Sequence, residues 1–90
     1  MYTVKPTSKF QKDLKKAAKR GLDIDAITSV IKKLANGETL PEKNRDHALT
    51  GNYNGYRECH VQPDWLLIYK IHDDALILLL ARTGSHSDLY

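Results

Sequence analysis

The sequence is poor in cysteine, in signal-peptide features and in long apolar runs, and each shortage excludes a class of protein. The single cysteine, Cys59, can form no internal disulfide and has no CxxC partner for zinc or redox chemistry, which fits a reducing compartment. No apolar run approaches the roughly 20 residues that a membrane span needs, and the first ten residues lack the apolar segment of a signal peptide. We therefore expect a cytoplasmic protein with no membrane partner.

What the sequence does have is the composition of a small folded protein. Hydrophobic residues make up 41% and charged residues 28% of the 90 positions, a balance that disordered chains do not show. A chain of this length can bury one modest core, so residues 1–90 are expected to form a single domain. There is no internal repeat, low-complexity tract or linker.

The net charge of +3 is concentrated near the N-terminus. Within the first twenty residues Asp13 is accompanied by seven basic residues, namely Lys5, Lys9, Lys12, Lys15, Lys16, Lys19 and Arg20. Such a cluster attracts phosphates or an acidic protein through its summed field, and the alternative is a helix face that is simply solvated.

Hydrophobic spacing predicts an α+β fold in the order β-α-α-β-β-β. Two amphipathic helices are expected, the first capped by Thr7 or Ser8 and ending near Gly21, the second running from about residue 23 or 25 to Asn36. Strands are predicted at residues 2–4, 56–61, 65–72 and 75–82, with a turn at 72–74 joining the last two as an antiparallel hairpin. The antiparallel C-terminal sheet should pack against the two helices.

Strand alternation separates the polar residues of segment 56–61 from the apolar ones. Glu58 and His60 share one face with Tyr56, while Cys59 and Val61 share the other. If the helices cover the Cys59 face, Glu58 and His60 lie on an open one. The loop carrying His47, the turn at 63–65 and the C-terminal segment can converge on that face.

These polar residues suit metal-independent cleavage of RNA. Histidine can remove the proton of a 2′-hydroxyl or protonate a leaving 5′-oxygen near neutral pH, and arginine can bind two phosphate oxygens at once. Tryptophan offers a flat ring on which a base can stack. The candidates are His47, His60 and His86 with Asp64, Arg82 and Trp65.

Each candidate also has a structural interpretation. An isolated histidine is more often an ordinary surface or core residue, above all His72 in the hairpin turn. Trp65 can equally be a core residue, and Asp64 can complete a Pro-Asp turn. Arg82 can pair with Glu58. A zinc site of three histidines is disfavoured because no pair has the close spacing of such sites.

The second half of the chain carries a more specific pattern. The segment DHALTGNYNGYRECHVQPDWLLIYKI, followed by LARTGSHSDLY, resembles the YafQ-type toxins of the RelE/ParE superfamily from type II toxin-antitoxin systems. The elements Asp-His-x-Leu-x-Gly, Gly-Tyr-Arg, His-Val-x-Pro-Asp-Trp with Ile-Tyr-Lys, and Arg-Thr-Gly-x-His are present in that order. The lysine-rich first half agrees in layout.

The resemblance implies a RelE-like fold and a ribosome-dependent mRNA endonuclease that uses the 2′-hydroxyl as nucleophile. Its implied partners are mRNA, the ribosome and a cognate antitoxin that holds it inactive, and no cofactor is expected. The residues that fall on the family's catalytic positions are His47, His60, Asp64, Arg82 and His86. Trp65 and Tyr90 fall on substrate positions, and Glu58 is an auxiliary base candidate beside the substrate.

Roles follow as hypotheses from this correspondence. His60 or His47 is the expected base, with Asp64 orienting it, and His86 is the expected acid, while Arg82 holds the scissile phosphate. On the first helix we expect ribosomal RNA to lie against Lys9, Lys12, Lys16 and Lys19, and an antitoxin segment to cover part of the same surface.

Two other functions compete with the nuclease on the same fold. One is a toxin that blocks its target by occupancy, as in the gyrase-inhibiting ParE branch, whose members generally lack this histidine set. The other is a degenerate toxin that binds its antitoxin without cleaving RNA. The combination of three histidines with Arg82 favours the nuclease.

Overall fold

The helices and strands follow the predicted order, with one short strand and one short helix added. The structure, a computed structural model, describes all of residues 1–90. Its elements are β1 Thr3–Pro6, α1 Ser8–Lys19, α2 Ile24–Ala35, β2 His47–Ala48, β3 Arg57–Gln62, β4 Trp65–His72, β5 Ile77–Gly84 and α3 His86–Leu89, with 3₁₀ turns at Glu42–Asn44 and Gly51–Tyr53. None of these helices has the length and apolar character that a membrane span would need.

The five strands form one mixed sheet in the order β1-β5-β4-β3-β2. Strands β2 to β5 pair antiparallel, which confirms the predicted C-terminal sheet, while β1 joins the far edge parallel to β5. Strand β1 reaches only as far as Pro6, which pairs with Leu80, so the last residues of β5 extend beyond it. Two register shifts, one after His60 in β3 and one between Ile68 and Tyr69 in β4, lie close to the predicted polar site.

Both long helices pack on one face of the sheet, and this confirms the predicted α+β class. The hydroxyl of Thr7 accepts from Phe10 N at 3.1 Å and begins α1, and the carboxylate of Asp23 begins α2 in the same way. The core between helices and sheet is made of Phe10, Ala17, Ile27, Val30, Leu34, Leu40, Cys59, Trp65, Leu67, Tyr69, Leu78 and Leu80. Cys59 faces this core, as strand alternation predicted.

The opposite face of the sheet is partly covered, and the prediction of an open face is wrong for Glu58. A small apolar cluster of Leu66, Ile68 and Leu89 lies there, because α3 folds back over the sheet. Glu58 is only 4% exposed beneath it.

Most boundary errors lie at turns. Strand β5 begins two residues later than predicted because Leu76 adopts the left-handed conformation, with φ of 52°, and extends the hairpin turn. The strand predicted at 75–82 is therefore 77–84, whereas β4 matches its prediction at both ends.

Candidate functional site

Strand β3 provides the centre of the site. Glu58 and His60 lie on the face away from the long helices, opposite Ile68 and Leu66 of β4. The carboxylate of Glu58 accepts a hydrogen bond from the hydroxyl of Tyr90. It also faces Nε2 of His47 at 3.6 Å and Nε2 of His60 at 3.9 Å. The buried carboxylate thus accepts from one hydroxyl and lies near two imidazole nitrogens, which can donate to it only when the rings are protonated.

His47 is brought to Glu58 by strand pairing. The prediction of a loop at this position is wrong, since His47 and Ala48 form the two-residue strand β2, in which His47 pairs with Glu58. The preceding residue fixes this strand: Asp46 accepts from the hydroxyl of Tyr69 at 2.6 Å and from Nε of Arg57 at 3.3 Å.

His86 and Asp64 form a carboxylate–imidazole pair at the other end of the site. Oδ1 of Asp64 accepts from Nδ1 of His86 at 2.9 Å and from its backbone N–H at 3.2 Å. The predicted partner of Asp64 is His60 or His47, so its observed partner corrects that expectation. The side-chain hydrogen bond from His86 is the main cause that lowers the pKa of Asp64 below its usual value.

His47, His60 and His86 each bond to a protein oxygen through Nδ1. Nδ1 of His47 lies 2.6 Å from the carbonyl oxygen of Arg45, and Nδ1 of His60 lies 3.2 Å from that of Pro63. Because carbonyl and carboxylate oxygens only accept, Nδ1 carries a proton in each ring. The neutral rings therefore keep a lone pair on Nε2, which is the atom available for proton transfer or metal binding.

Helix α3 carries His86 at its start, and Tyr90 follows its last residue. Ser85 and Asp88 form a capping box at its start. Asp88 also binds the guanidinium of Arg20, at the end of α1, through bonds of 2.8 and 3.3 Å. Arg20 is the leading cause of a lowered pKa at Asp88. A four-residue helix is thus fixed by ionic bonds to a long one.

Arg82 does not pair with Glu58, as one interpretation of the sequence proposed. Its Nε lies 2.7 Å from Oδ2 of Asp13 and its Nη2 lies 3.2 Å from Oδ1. This bond, more than any other contact, raises the pKa of Arg82, and Tyr53 adds a smaller effect. Arg82 therefore lies between α1 and the aromatic residues around Tyr90, since Tyr53 packs edge-on against Tyr90 at 5.9 Å.

The two predicted substrate-stacking residues differ in exposure. Trp65 is 2% exposed and belongs to the main core, so its structural interpretation holds and its ring offers no free face to a base. Tyr90 is 61% exposed, and its ring centroid lies 6.4 Å from that of His86. Stacking on a base is open to Tyr90 alone of these two.

Glu58, His60 and His86 could together bind a metal ion. One ligand atom from each of these residues can be chosen so that all three lie within 4.8 Å of one another. Imidazole nitrogens with one carboxylate oxygen are suitable ligands for zinc, copper or nickel. The spacing of these residues along the chain gave no sign of this cluster, because β3 and α3 meet only in the folded structure.

The predicted cationic surface on α1 is exposed. Its members are Lys9, Lys12, Lys16 and Lys19. Lys16 also lies beside a cleft of about 380 Å³ between α1, the turn after β3 and the end of β5, which Asp64 and Arg82 line as well. One of the lysines and two of the catalytic candidates thus border the same cleft.

Several residues that position the site were missed in the sequence. Asn44 donates from Nδ2 to the backbone carbonyl of His60 at 2.7 Å, where β3 shifts register. Asp13, Asp46 and Asp88 bind side chains or elements distant in the chain. Two of them carried a sequence signal: Ser85 three residues before Asp88 matches a capping box, and Asp46 opens the Asp-His-x-Leu-x-Gly element.

The family model and the curated relatives that match this chain belong to the same family. Residues 2–90 match the family model described as "Bacterial toxin of type II toxin-antitoxin system, YafQ". The mRNA interferase toxin YafQ of Escherichia coli K12 is 40% identical over 85 residues, which cover 93% of this chain and 90% of that protein.

Solved structures agree over the whole chain. A metal-bound toxin from Helicobacter pylori is 42% identical, with a TM-score of 0.94 and complete coverage of both chains. A chain of the E. coli DinJ-YafQ complex is 37% identical, with a TM-score of 0.91 over 100% of this chain and 99% of that one.

Proposed function

Because the chain belongs to the YafQ family of toxins from type II toxin-antitoxin systems, we propose that it is an mRNA interferase that cleaves mRNA on the ribosome. The observation that carries the proposal is the cluster of His47, His60 and His86, each with Nδ1 bonded to an acceptor and Nε2 left for chemistry. Ribosome-bound mRNA as substrate also places its action in the cytoplasm.

His60 and His86 are the proposed base and acid. The ring centroids of His60 and His86 lie 5.9 Å apart, a separation that allows one phosphodiester to lie within hydrogen-bond reach of both. His60 takes the proton of the 2′-hydroxyl as the bond from the 2′-oxygen to phosphorus forms. His86 gives a proton to the 5′-oxygen as its bond to phosphorus breaks. The products are a 2′,3′-cyclic phosphate and a free 5′-hydroxyl.

The remaining residues support these two transfers. Asp64 stabilises the imidazolium form of His86, which is the form that can act as an acid. Arg82 supplies a fixed positive charge that stabilises the phosphorane. His47 and Glu58 provide further polar groups on the same side of the phosphate as His60. Tyr90 provides an exposed ring beside His86 for a neighbouring base.

A bound metal would act on the same atoms. Glu58, His60 and His86 fit a transition metal, which would supply a Lewis acid to a phosphate oxygen and occupy lone pairs that proton transfer needs. The proposal is that cleavage needs no metal. Cleavage by protein that has been dialysed against EDTA before the assay supports the proposal. Loss of activity in the dialysed protein that is reversed only by added Zn²⁺ contradicts it.

The cationic surface on α1 is the proposed contact with ribosomal RNA and, in part, with the antitoxin. Lysines there add salt-sensitive affinity without reading sequence. Charge reversal at Lys12, Lys16 and Lys19 should weaken ribosome binding. If binding of both ribosome and antitoxin is unchanged, this surface has no such role.

Mapping of mRNA ends by primer extension after induction tests the nuclease function. Discrete cuts should appear with the native protein and disappear with His86→Ala. The matched control is His72→Ala, which removes a histidine from the distant end of β4 and should cleave normally. Growth arrest with intact mRNA would instead support a toxin that acts by occupancy.

A further inference from the structure

We propose that Asp13 is a positioning residue for Arg82: it binds the side edge of the guanidinium so that the end edge is presented to the scissile phosphate. The inference rests on the proposed role of Arg82 as phosphate ligand. Asp13 is on α1, the element in which the sequence pointed only to lysines.

Asp13 reaches Arg82 because α1 takes over the edge of the sheet where β1 ends. Strand β1 pairs with β5 only up to Leu80, and the hydroxyl of Thr7 bonds the next carbonyl, that of Ala81. Two residues further, Oδ2 of Asp13 accepts from the backbone N–H of Thr83 at 3.1 Å. The carboxylate is thus anchored to the same strand that carries Arg82.

The geometry of the ion pair decides which edge of Arg82 is free. Asp13 takes Nε and Nη2, which form the side edge of the guanidinium. One N–H of Nη1 and the second N–H of Nη2 form the end edge, and these two parallel donors match two oxygens of a phosphate. Arg82 and Asp64 both line the cleft of about 380 Å³, so a ligand in this cleft can reach the side chain of Arg82.

A flexible arginine would lose this preorganisation. The side chain of Arg82 is 26% exposed and that of Asp13 is 15% exposed, so neither is fully enclosed by packing. Without the carboxylate, the guanidinium would rotate among several conformations, and the phosphate would have to select one of them. The phosphorane, which gains charge in the transition state, should be affected more than substrate binding.

Single-turnover cleavage of a short mRNA on ribosomes tests the inference. Asp13→Asn keeps an oxygen that can accept from Thr83 N, but it loses the charge and the second acceptor for Arg82. We expect the cleavage rate at saturation to fall by about tenfold or more, with a smaller change in the half-saturating concentration. Asp25→Asn, the matched control on the exposed start of α2, should cleave at the native rate.

Coupling to Arg82 separates positioning from a structural role. In the Arg82→Ala background, measured with enzyme in excess over long incubation, Asp13→Asn should cause no further loss. An equal loss in both backgrounds would overturn the inference, as would a rate for Asp13→Asn equal to that of Asp25→Asn. Native cleavage by Arg82→Ala would instead refute the proposed role of Arg82 itself.

A measurement on the native protein keeps the inference testable if Asp13→Asn does not fold. The Nε–H proton of Arg82, assigned by its absence in Arg82→Lys, should exchange slowly with water in NMR spectra because Asp13 accepts it. Exchange as fast as that of an exposed arginine would show that the pair does not persist in solution and would overturn the inference.

Discussion

The bond between Tyr69 and Asp46 gives a sharp test of how β2 is attached to the core. Tyr69 is 1% exposed, and its hydroxyl donates to Asp46 at 2.6 Å, next to His47. We expect Tyr69→Phe to lower the free energy of unfolding, because the buried end of the carboxylate loses a short charge-assisted bond.

The magnitude follows from the exposure of the partner. Hydrogen bonds to charged groups contribute about 1.5–3 kcal/mol, and because the side chain of Asp46 is 25% exposed, water can partly replace the phenol, so we expect a loss of about 1–2 kcal/mol. For a chain of 90 residues this corresponds to a fall in Tm of about 5–10 °C.

Urea denaturation followed by the fluorescence of Trp65, the single tryptophan and a core residue, measures this loss. Tyr56→Phe is the matched control, since no hydrogen bond of its hydroxyl is present in the structure, and it should change stability by less than about 0.5 kcal/mol. Asp46→Asn combined with Tyr69→Phe should be less destabilising than the sum of the two. A Tyr69→Phe variant as stable as the control would refute the reasoning.

Tyr69 should also make the stability of the fold depend on pH in the alkaline range. Burial, and after it Asp46, raises the pKa of the Tyr69 phenol. The stabilising effect of this side chain is therefore complete below about pH 10, where the phenol of the unfolded chain ionises, and it declines as the pH rises further. Burial raises the pKa of the Cys59 thiol to about 12, so an alkylating reagent at pH 8 should modify it only after unfolding; rapid reaction in the native state contradicts this. His86→Ala should raise the pKa of Asp64 toward about 4, as carbon NMR titration can show, and an unchanged titration would mean that His86 is not its partner. Leu76→Gly should raise stability by about 1 kcal/mol, because glycine adopts the left-handed conformation without steric cost, and a loss of stability in thermal unfolding would contradict this.

The parts of the fold that the sequence predicts well are those with a long local pattern. Strand β4 was correct at both ends because its apolar run is bounded by turn residues on each side. Helices α1 and α2 carry their own caps and apolar stripes. In contrast, β2 has two residues and exists only because β3 pairs with it, and α3 has four residues, too few for a helical period.

The candidate site divides in the same way. Chain order and residue type were enough to name the histidines, but not to say that Asp64 binds His86 rather than His60. That choice depends on where α3 folds back, and α3 is fixed by the contact of Asp88 with Arg20, 68 positions earlier. The partner of Arg82 is equally remote, since Asp13 lies 69 positions before it.

These contacts share one chemical type, and it determines how the site should respond to acid. His86 and the start of α3 are fixed by carboxylates, and Leu89 is the one side chain of α3 that packs in an apolar cluster. The pKa of Asp64 is lowered first by His86, and that of Asp88 first by Arg20. A carboxylate with a lowered pKa in the folded state stabilises that state fully above its unfolded pKa, about 4, and this contribution is lost as the pH falls through the folded value. The main core between the long helices and the sheet contains no carboxylate. Below about pH 4, α3 should therefore detach from the site before the sheet and long helices unfold, and amide exchange of residues 86–90 should rise ahead of that of β4.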